Sequence, residues 1–149
     1  MSATAGFKNK WKRSKSAIGN LESLYRSVTD GQTLDAQGLY ICGVLAHENG
    51  RLGEAATFLG KAVCLKPDEA SYHIKLGQVC EQADWLRQAS FAFLHAVYIN
   101  PSDDESWFRL GRPYAAQDLT SHASACFRQT LYLRADHHNA RTALDIITK

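Results

Sequence analysis

The chain has 149 residues, of which 45% are hydrophobic and 21% charged, and its formal net charge is +2. This composition is typical of a soluble globular domain, and the length is sufficient for one continuous core. No apolar run approaches the ~20 residues that a membrane-spanning helix needs, so we expect no membrane insertion. Because the N-terminus also lacks the apolar stretch of a secretory signal, we expect a cytoplasmic protein.

The first predicted segment, residues 1–15, is a basic arm. It contains five of the 17 basic residues and no acidic residue, so the rest of the chain has 12 basic and 15 acidic residues. Its basic residues are Lys8, Lys10, Lys12, Arg13 and Lys15. Such a run, with Phe7 and Trp11 nearby, can contact nucleic acid or another anionic surface. We favour a solvated terminal arm and expect no nucleic-acid partner, because no basic face extends the run.

The second predicted segment, residues 16–34, is an N-terminal capping helix followed by a turn. Apolar residues recur at helical spacing within the predicted helix, residues 16–29. They are Ile18, Leu21, Tyr25 and Val28. Shifted by 34 positions, its apolar residues align with those of the second helix of the first complete repeat. The segment has no counterpart of that repeat's first helix. We therefore predict a half-repeat that packs on the first complete copy.

Residues 35–135 repeat with a period of 34. The residues in register are Gly43, Gly77 and Gly111; Ala55, Ala89 and Ala123; Leu59, Phe93 and Phe127; Ala62, Ala96 and Thr130; and Pro67 and Pro101. The pattern predicts two helices in each copy. The glycines and alanines let the two helices approach closely, and the large residues fill the space beside that contact.

The same register predicts where each helix begins and ends. The three helix pairs are expected at residues 36–49 and 53–65, 70–83 and 87–99, and 104–117 and 121–133. The turns within the pairs fall at Asn49–Gly50, Ala83–Asp84 and Gln117–Asp118, where Gly and Asp tolerate the left-handed conformation. Pro113 lies inside a predicted helix and should bend it. In residues 136–149, a helix at 138–148 should cap the apolar face of the last pair.

This period, with one helix pair per copy, resembles the tetratricopeptide repeat. The third copy has the first half of the family pattern and the second copy has its second half. The matching residues are Trp107, Leu110, Gly111 and Tyr114, then Ala89, Phe93, Ala96 and Pro101. The resemblance implies an all-α right-handed superhelix of three helix pairs, with an N-terminal half-repeat helix and a C-terminal capping helix.

Residues that could carry catalysis do not form a recognised pattern. The six histidines show no zinc spacing, and His73 stands where the repeat usually has Trp, so we expect it in or beside the core. The four cysteines lack a C-x-x-C spacing and are expected to be buried free thiols. There is no phosphate-binding loop, nucleophile elbow or paired-carboxylate signature. We therefore expect no enzymatic activity, no cofactor and no metal site.

One face of the first helix in each copy is the predicted binding site. In stacked repeats this face lines a concave groove. The candidate residues are Tyr40, Val44, His47, Ile74, Gln78, Glu81, Phe108 and Arg112. Tyr40, Ile74 and Phe108 recur at 34-residue spacing, and an apolar stripe edged by polar groups is typical of a peptide-binding surface. The alternative is that these side chains only cover neighbouring helices.

Two comparisons with known groups of repeat proteins indicate which class of partner to expect and which to exclude. Co-chaperones that bind the C-terminal carboxylate of a heat-shock chaperone use Lys and Asn where this chain has Tyr40 and Val44, so we expect no such carboxylate clamp. The helix order resembles that of class II chaperones of bacterial type III secretion, which implies a translocator client. The matching local runs are residues 30–34, Leu39-Tyr40, residues 50–52 and Glu54-Ala55. A general adaptor in a multiprotein assembly and the interaction domain of a larger enzyme system are the alternatives. A homodimer is left open.

Overall fold

The computed structural model describes residues 34–149. The predicted basic arm and the predicted helix at residues 16–29 lie outside this range. The described helices are α1 (Ala36–Glu48), α2 (Leu52–Leu65), α3 (Ala70–Gln82), α4 (Leu86–Ile99), α5 (Asp104–Ala116), α6 (Thr120–Leu133) and α7 (His138–Thr148). The chain divides into two compact units, one ending at Leu65 and one formed by residues 66–149.

The predicted all-α fold of helix pairs is confirmed for residues 34–149, which contain no strand. Every observed helix begins and ends within one residue of its predicted bounds. The predicted left-handed turns are also present, with φ of 74° at Gly50, 62° at Asp84 and 58° at Asp118. Glycine reaches this conformation without strain, and Asp is among the residues that tolerate it best.

Within each pair, a glycine of the first helix lies against a large side chain of the second. A Cβ atom added at Gly77 would lie 2.7 Å from the Phe93 ring, and one added at Gly111 would overlap the Phe127 ring in the same way. The α1–α2 pair repeats this contact with Gly43 and Leu59. The three large residues are 1% exposed or less. The period of 34 therefore reflects a steric requirement, because only glycine leaves room for these side chains.

His73 and Trp107 occupy the same position in successive copies, and they make the same hydrogen bond. His73 Nε2 lies 2.8 Å from the carbonyl oxygen of Pro67, and Trp107 Nε1 donates to the carbonyl oxygen of Pro101 over 2.8 Å. Each ring ties the start of its helix to the preceding loop. The expectation that His73 belongs to the core is confirmed, because it is buried.

Pro113 is accommodated within α5. The helix continues through it to Ala116, and the proline ring is fully buried. Its carbonyl oxygen accepts hydrogen bonds from the backbone and side-chain nitrogens of Gln117. The bend expected at this residue stays a prediction.

The last helix, α7, packs on α6. Ala140 is completely buried, and Nδ1 of His137 accepts a hydrogen bond from the Ala140 amide, which caps the helix. On its other side, His137 Nε2 lies 3.4 Å from a carboxylate oxygen of Glu105 on α5. These contacts fix the start of α7 against its own unit.

The expectation that all four cysteines are buried is wrong for one of them. Cys42, Cys80 and Cys126 are buried, whereas Cys64 is exposed. Cys64 holds the repeat position of Tyr98 and Tyr132, which are 86% and 82% exposed. This position faces solvent, so its residue type is not restricted to one that packs.

Candidate functional site

The predicted site residues of the second unit lie on α3 and α5. Glu81 and Arg112 come together as an ion pair, with Oε1 and Nη2 separated by 3.1 Å. The Glu81 side chain is 20% exposed and that of Arg112 is 51% exposed. Gln78 is half-buried. The pair joins one turn of α3 to one turn of α5 and leaves the guanidinium partly open to solvent.

The large apolar residues of this set are partly used inside the unit. Ile74 is half-buried and packs against the core cluster. Phe108 is also half-buried, and its ring centroid lies 5.8 Å from that of Phe127 and 4.7 Å from that of His137. These are contacts of the kind that the alternative interpretation describes. Whether Ile74 and Phe108 also bind a partner stays a prediction.

Three candidate residues belong to the first unit. Tyr40, Val44 and His47 lie on α1, and each is half-buried. Their role in partner binding stays a prediction.

A cavity of about 360 Å³ adjoins the Glu81–Arg112 pair, and we call it the terminal cavity. Its other lining residues are Ala115 and Ala116 of α5, Phe127 of α6, and Ala143, Ile146 and Ile147 of α7. Most of these are small or aliphatic, so the cavity combines an apolar lining with one ion pair at its edge. A site with an apolar lining and few polar groups is typical of ligand recognition, because the polar groups orient what the apolar surface binds.

The prediction from sequence found two residues of the terminal cavity and missed those of α7. Ile146 follows Arg112 by 34 residues and is 66% exposed. It is therefore the counterpart of Val44, Gln78 and Arg112 in an incomplete fourth copy. Extending the repeat register into the capping helix would have added Ile146 to the candidate site.

Some kinds of site are not formed by the described residues. Within residues 34–149, no group of three or more His, Cys, Asp or Glu side chains could hold a metal ion. In the same part of the chain, no helix is both long and apolar enough to span a membrane.

Comparison with known proteins agrees with the repeat pattern. A family model described as tetratricopeptide repeat matches residues 70–103, which are the second copy. No curated protein sequence matches the chain significantly.

Solved structures show the fold. The crystal structure of MamA has a TM-score of 0.81 and 20% identity, over 91% of this chain and 80% of MamA. YrrB, described as having an unusual peptide-binding site, has a TM-score of 0.77 and 16% identity, over 91% of this chain and 69% of YrrB. The first repeat domain of Spaghetti, bound to an HSP90 peptide, has a TM-score of 0.71 and 19% identity, over 76% of this chain and 90% of that domain. These likenesses show that the chain shares the fold of these proteins, and the family model shows one tetratricopeptide repeat at residues 70–103.

Proposed function

We propose that this chain, which has the tetratricopeptide repeat fold, is a non-enzymatic module that binds an extended segment of a partner protein. The observation that carries the proposal is the terminal cavity with the Glu81–Arg112 pair at its edge. Two proteins of the same fold are described as binding peptides, Spaghetti and YrrB. We infer the same class of ligand here.

The cavity suggests which part of a partner segment it would bind. Its small and aliphatic lining favours an apolar side chain, and the half-exposed guanidinium of Arg112 offers donors to a carbonyl or carboxylate beside it. Neighbouring helices pack roughly 10 Å apart, while an extended peptide advances about 3.3 Å per residue. Apolar residues at about every third position of the partner would therefore meet successive helices.

The test begins with selecting peptides from a displayed random library on the immobilised protein. Calorimetry of a selected peptide should then show affinity reduced by roughly tenfold in Arg112→Ala and in Ile146→Ser. Both side chains are more than half exposed, so the fold should be retained. Arg128→Ala, an exposed arginine on α6, is the matched control. Affinity equal to wild type in both cavity variants would place the binding site elsewhere.

Phe108→Ala tests the binding face predicted from the sequence, and its result is harder to interpret than that of the two cavity variants. Because the Phe108 ring packs on Phe127 and His137, its removal would change stability as well as any partner contact. The double variant Tyr40→Ala with Phe108→Ala also removes this ring, so circular dichroism must accompany its binding measurement.

The finer hypothesis is that the partner is a translocator and the protein a class II secretion chaperone. It is based on the resemblance of the helix order and of the runs at residues 30–34, 39–40, 50–52 and 54–55, and neither the matched repeat nor the three similar structures add to it. A general adaptor is the second candidate. Purification of the complex from native cells separates them, since one stoichiometric, membrane-active client fits the chaperone and several soluble partners fit the adaptor.

A further inference from the structure

A second surface of the same unit carries exposed apolar residues that the repeat does not require. Four residues of α4 follow one another at intervals of four, three and four positions, and we call them the α4 stripe: Arg87, Phe91, Leu94 and Tyr98. Their spacing places them along one face of the helix. The three apolar members are 58%, 42% and 86% exposed, in chain order. None of the four lines the terminal cavity.

Comparison between copies shows that helix packing does not account for the stripe. The same four positions in α6 are Ser121, Ala125, Arg128 and Tyr132, and in α2 they are Gly53, Thr57, Gly60 and Cys64. Both helices form their pairs without large apolar residues at the two central positions. Meanwhile, the packing of α4 on α3 uses other residues, among them Ala89, Phe93 and Ala96, which are completely buried. Phe91 and Leu94 are therefore additions to a helix that already has its core face.

A cleft of about 610 Å³ lies beside the stripe. Arg87, Ser90, Phe91 and Leu94 of α4 line it, together with Tyr114, Gln117 and Leu119. The Gln117 amide nitrogen donates to Ser90 Oγ over 2.9 Å and to the Leu86 carbonyl oxygen over 3.3 Å, which fixes the end of α5 against the start of α4. The volume falls within the ~300–1,000 Å³ typical of ligand clefts. The cleft is therefore built by fixed contacts.

The charge at one end of the α4 stripe indicates which charge a partner should carry there. Among the residues that the structure describes, Arg87 forms no ion pair, and Asp84 in the preceding turn does not pair with it. The first turn of α4 also has no side-chain cap, and a helix N-terminus carries partial positive charge. An acidic group of a partner is the complement to this end of the stripe.

We propose that the α4 stripe and its cleft form a second docking surface for an amphipathic helix of a partner protein, oriented by an acidic residue that meets Arg87. Alternating intervals of three and four residues are the spacing by which two helices pack side by side. A small molecule in the cleft would leave Tyr98 exposed, whereas a helix along the stripe covers it. The partner helix has apolar residues at the same alternating spacing and spans about three turns.

The test uses two labelled synthetic helical peptides, about four turns long. Both have leucines at alternating intervals of three and four, and they differ only in having Glu or Lys at the end of the leucine face. Fluorescence anisotropy with the full chain should show tighter binding of the Glu peptide. The double change Phe91→Ala with Leu94→Ala should weaken it by at least about tenfold. The control variant is Tyr132→Ala, which removes an exposed tyrosine of α6 and should bind the Glu peptide like wild type.

Reversing the charge at residue 87 distinguishes a specific contact from nonspecific apolar binding, because nonspecific binding would not depend on that charge. Arg87→Glu should transfer the preference from the Glu peptide to the Lys peptide, with helicity by circular dichroism unchanged because the residue is exposed. A preference that survives the reversal overturns the proposal, as does equal affinity of wild type and the alanine double variant. Neither outcome depends on the terminal cavity, so Arg112→Ala should bind both peptides like wild type.

A second copy of the chain is the other possible occupant. Sedimentation velocity of wild type should show a monomer whose stripe is available to the peptide. If wild type instead self-associates, and the alanine double variant is monomeric, the stripe joins two copies and the proposal of a foreign helix is overturned.

Discussion

In the two helix pairs of the second unit, the close contact between the helices is made by the same kinds of residue, whereas two exposed positions differ in kind. Gly77 with Phe93 in α3–α4 matches Gly111 with Phe127 in α5–α6. Outside, Phe91 and Leu94 of α4 correspond to Ala125 and Arg128 of α6. The difference shows which positions the fold restricts. Where a glycine must leave room for a ring of the other helix, both residues recur, and a position that faces solvent is free to serve binding.

The largest expected effect is on the packed side of this comparison. Phe93→Ala should lower the free energy of unfolding by about 3–5 kcal/mol, because Phe93 is completely buried and its removal leaves a cavity. Phe91→Ala, on the same helix but 58% exposed, should cost less than about 1 kcal/mol. Urea unfolding of both variants measures the contrast. Equal losses would mean that α4 does not have one packed face and one exposed face.

A smaller effect is expected from filling the space that a glycine leaves. Gly77→Leu should destabilise the protein by about 1–3 kcal/mol through overpacking, since even its Cβ would lie 2.7 Å from the Phe93 ring. Gly60 has no atom within 4 Å of an added Cβ, so Gly60→Ala in α2 should gain up to about 1 kcal/mol from helix propensity. Thermal melts compare the two. A Gly77→Leu protein that melts like wild type would show that this contact does not limit the packing.

The packed positions could be predicted from the sequence because the same contact is repeated three times. Each copy confirms the register of the others, so the helix bounds and the left-handed turns at Gly50, Asp84 and Asp118 followed directly. The second copy has His73 where the third copy has Trp107. The register is the same in both, because either ring reaches the carbonyl oxygen of the preceding proline.

The candidate site could be predicted only in part, because exposed positions have no such internal check. The sequence placed Glu81 and Arg112 on one predicted face, but periodicity alone does not state that they pair, and their role in binding stays a prediction. Ile146 was missed because the last helix was treated as a cap and not as the start of a fourth copy. For Phe108, the sequence shows a large residue on the face predicted to bind a partner, and it does not show that the His137 ring lies against it.

The last prediction concerns an effect confined to alkaline pH, and it compares a packed cysteine with an exposed one. Burial raises the pKa of the Cys126 thiol from about 9 to about 11, so this thiol stays neutral in the folded protein where it would ionise in the unfolded chain. The unfolded state therefore releases this proton first, and the contribution of Cys126 is fully present below pH 9 and is lost as pH rises towards 11. In urea unfolding across this range, Cys126→Ala should lose stability less steeply than wild type. Cys64→Ala removes an exposed thiol and should keep the wild-type slope.

Because tyrosines and lysines titrate in the same range in all three proteins, only the difference in slope reports on the cysteine. A Cys126→Ala slope identical to wild type would show that the thiol ionises as readily in the folded protein as in the unfolded chain, and that this packed position does not exclude water.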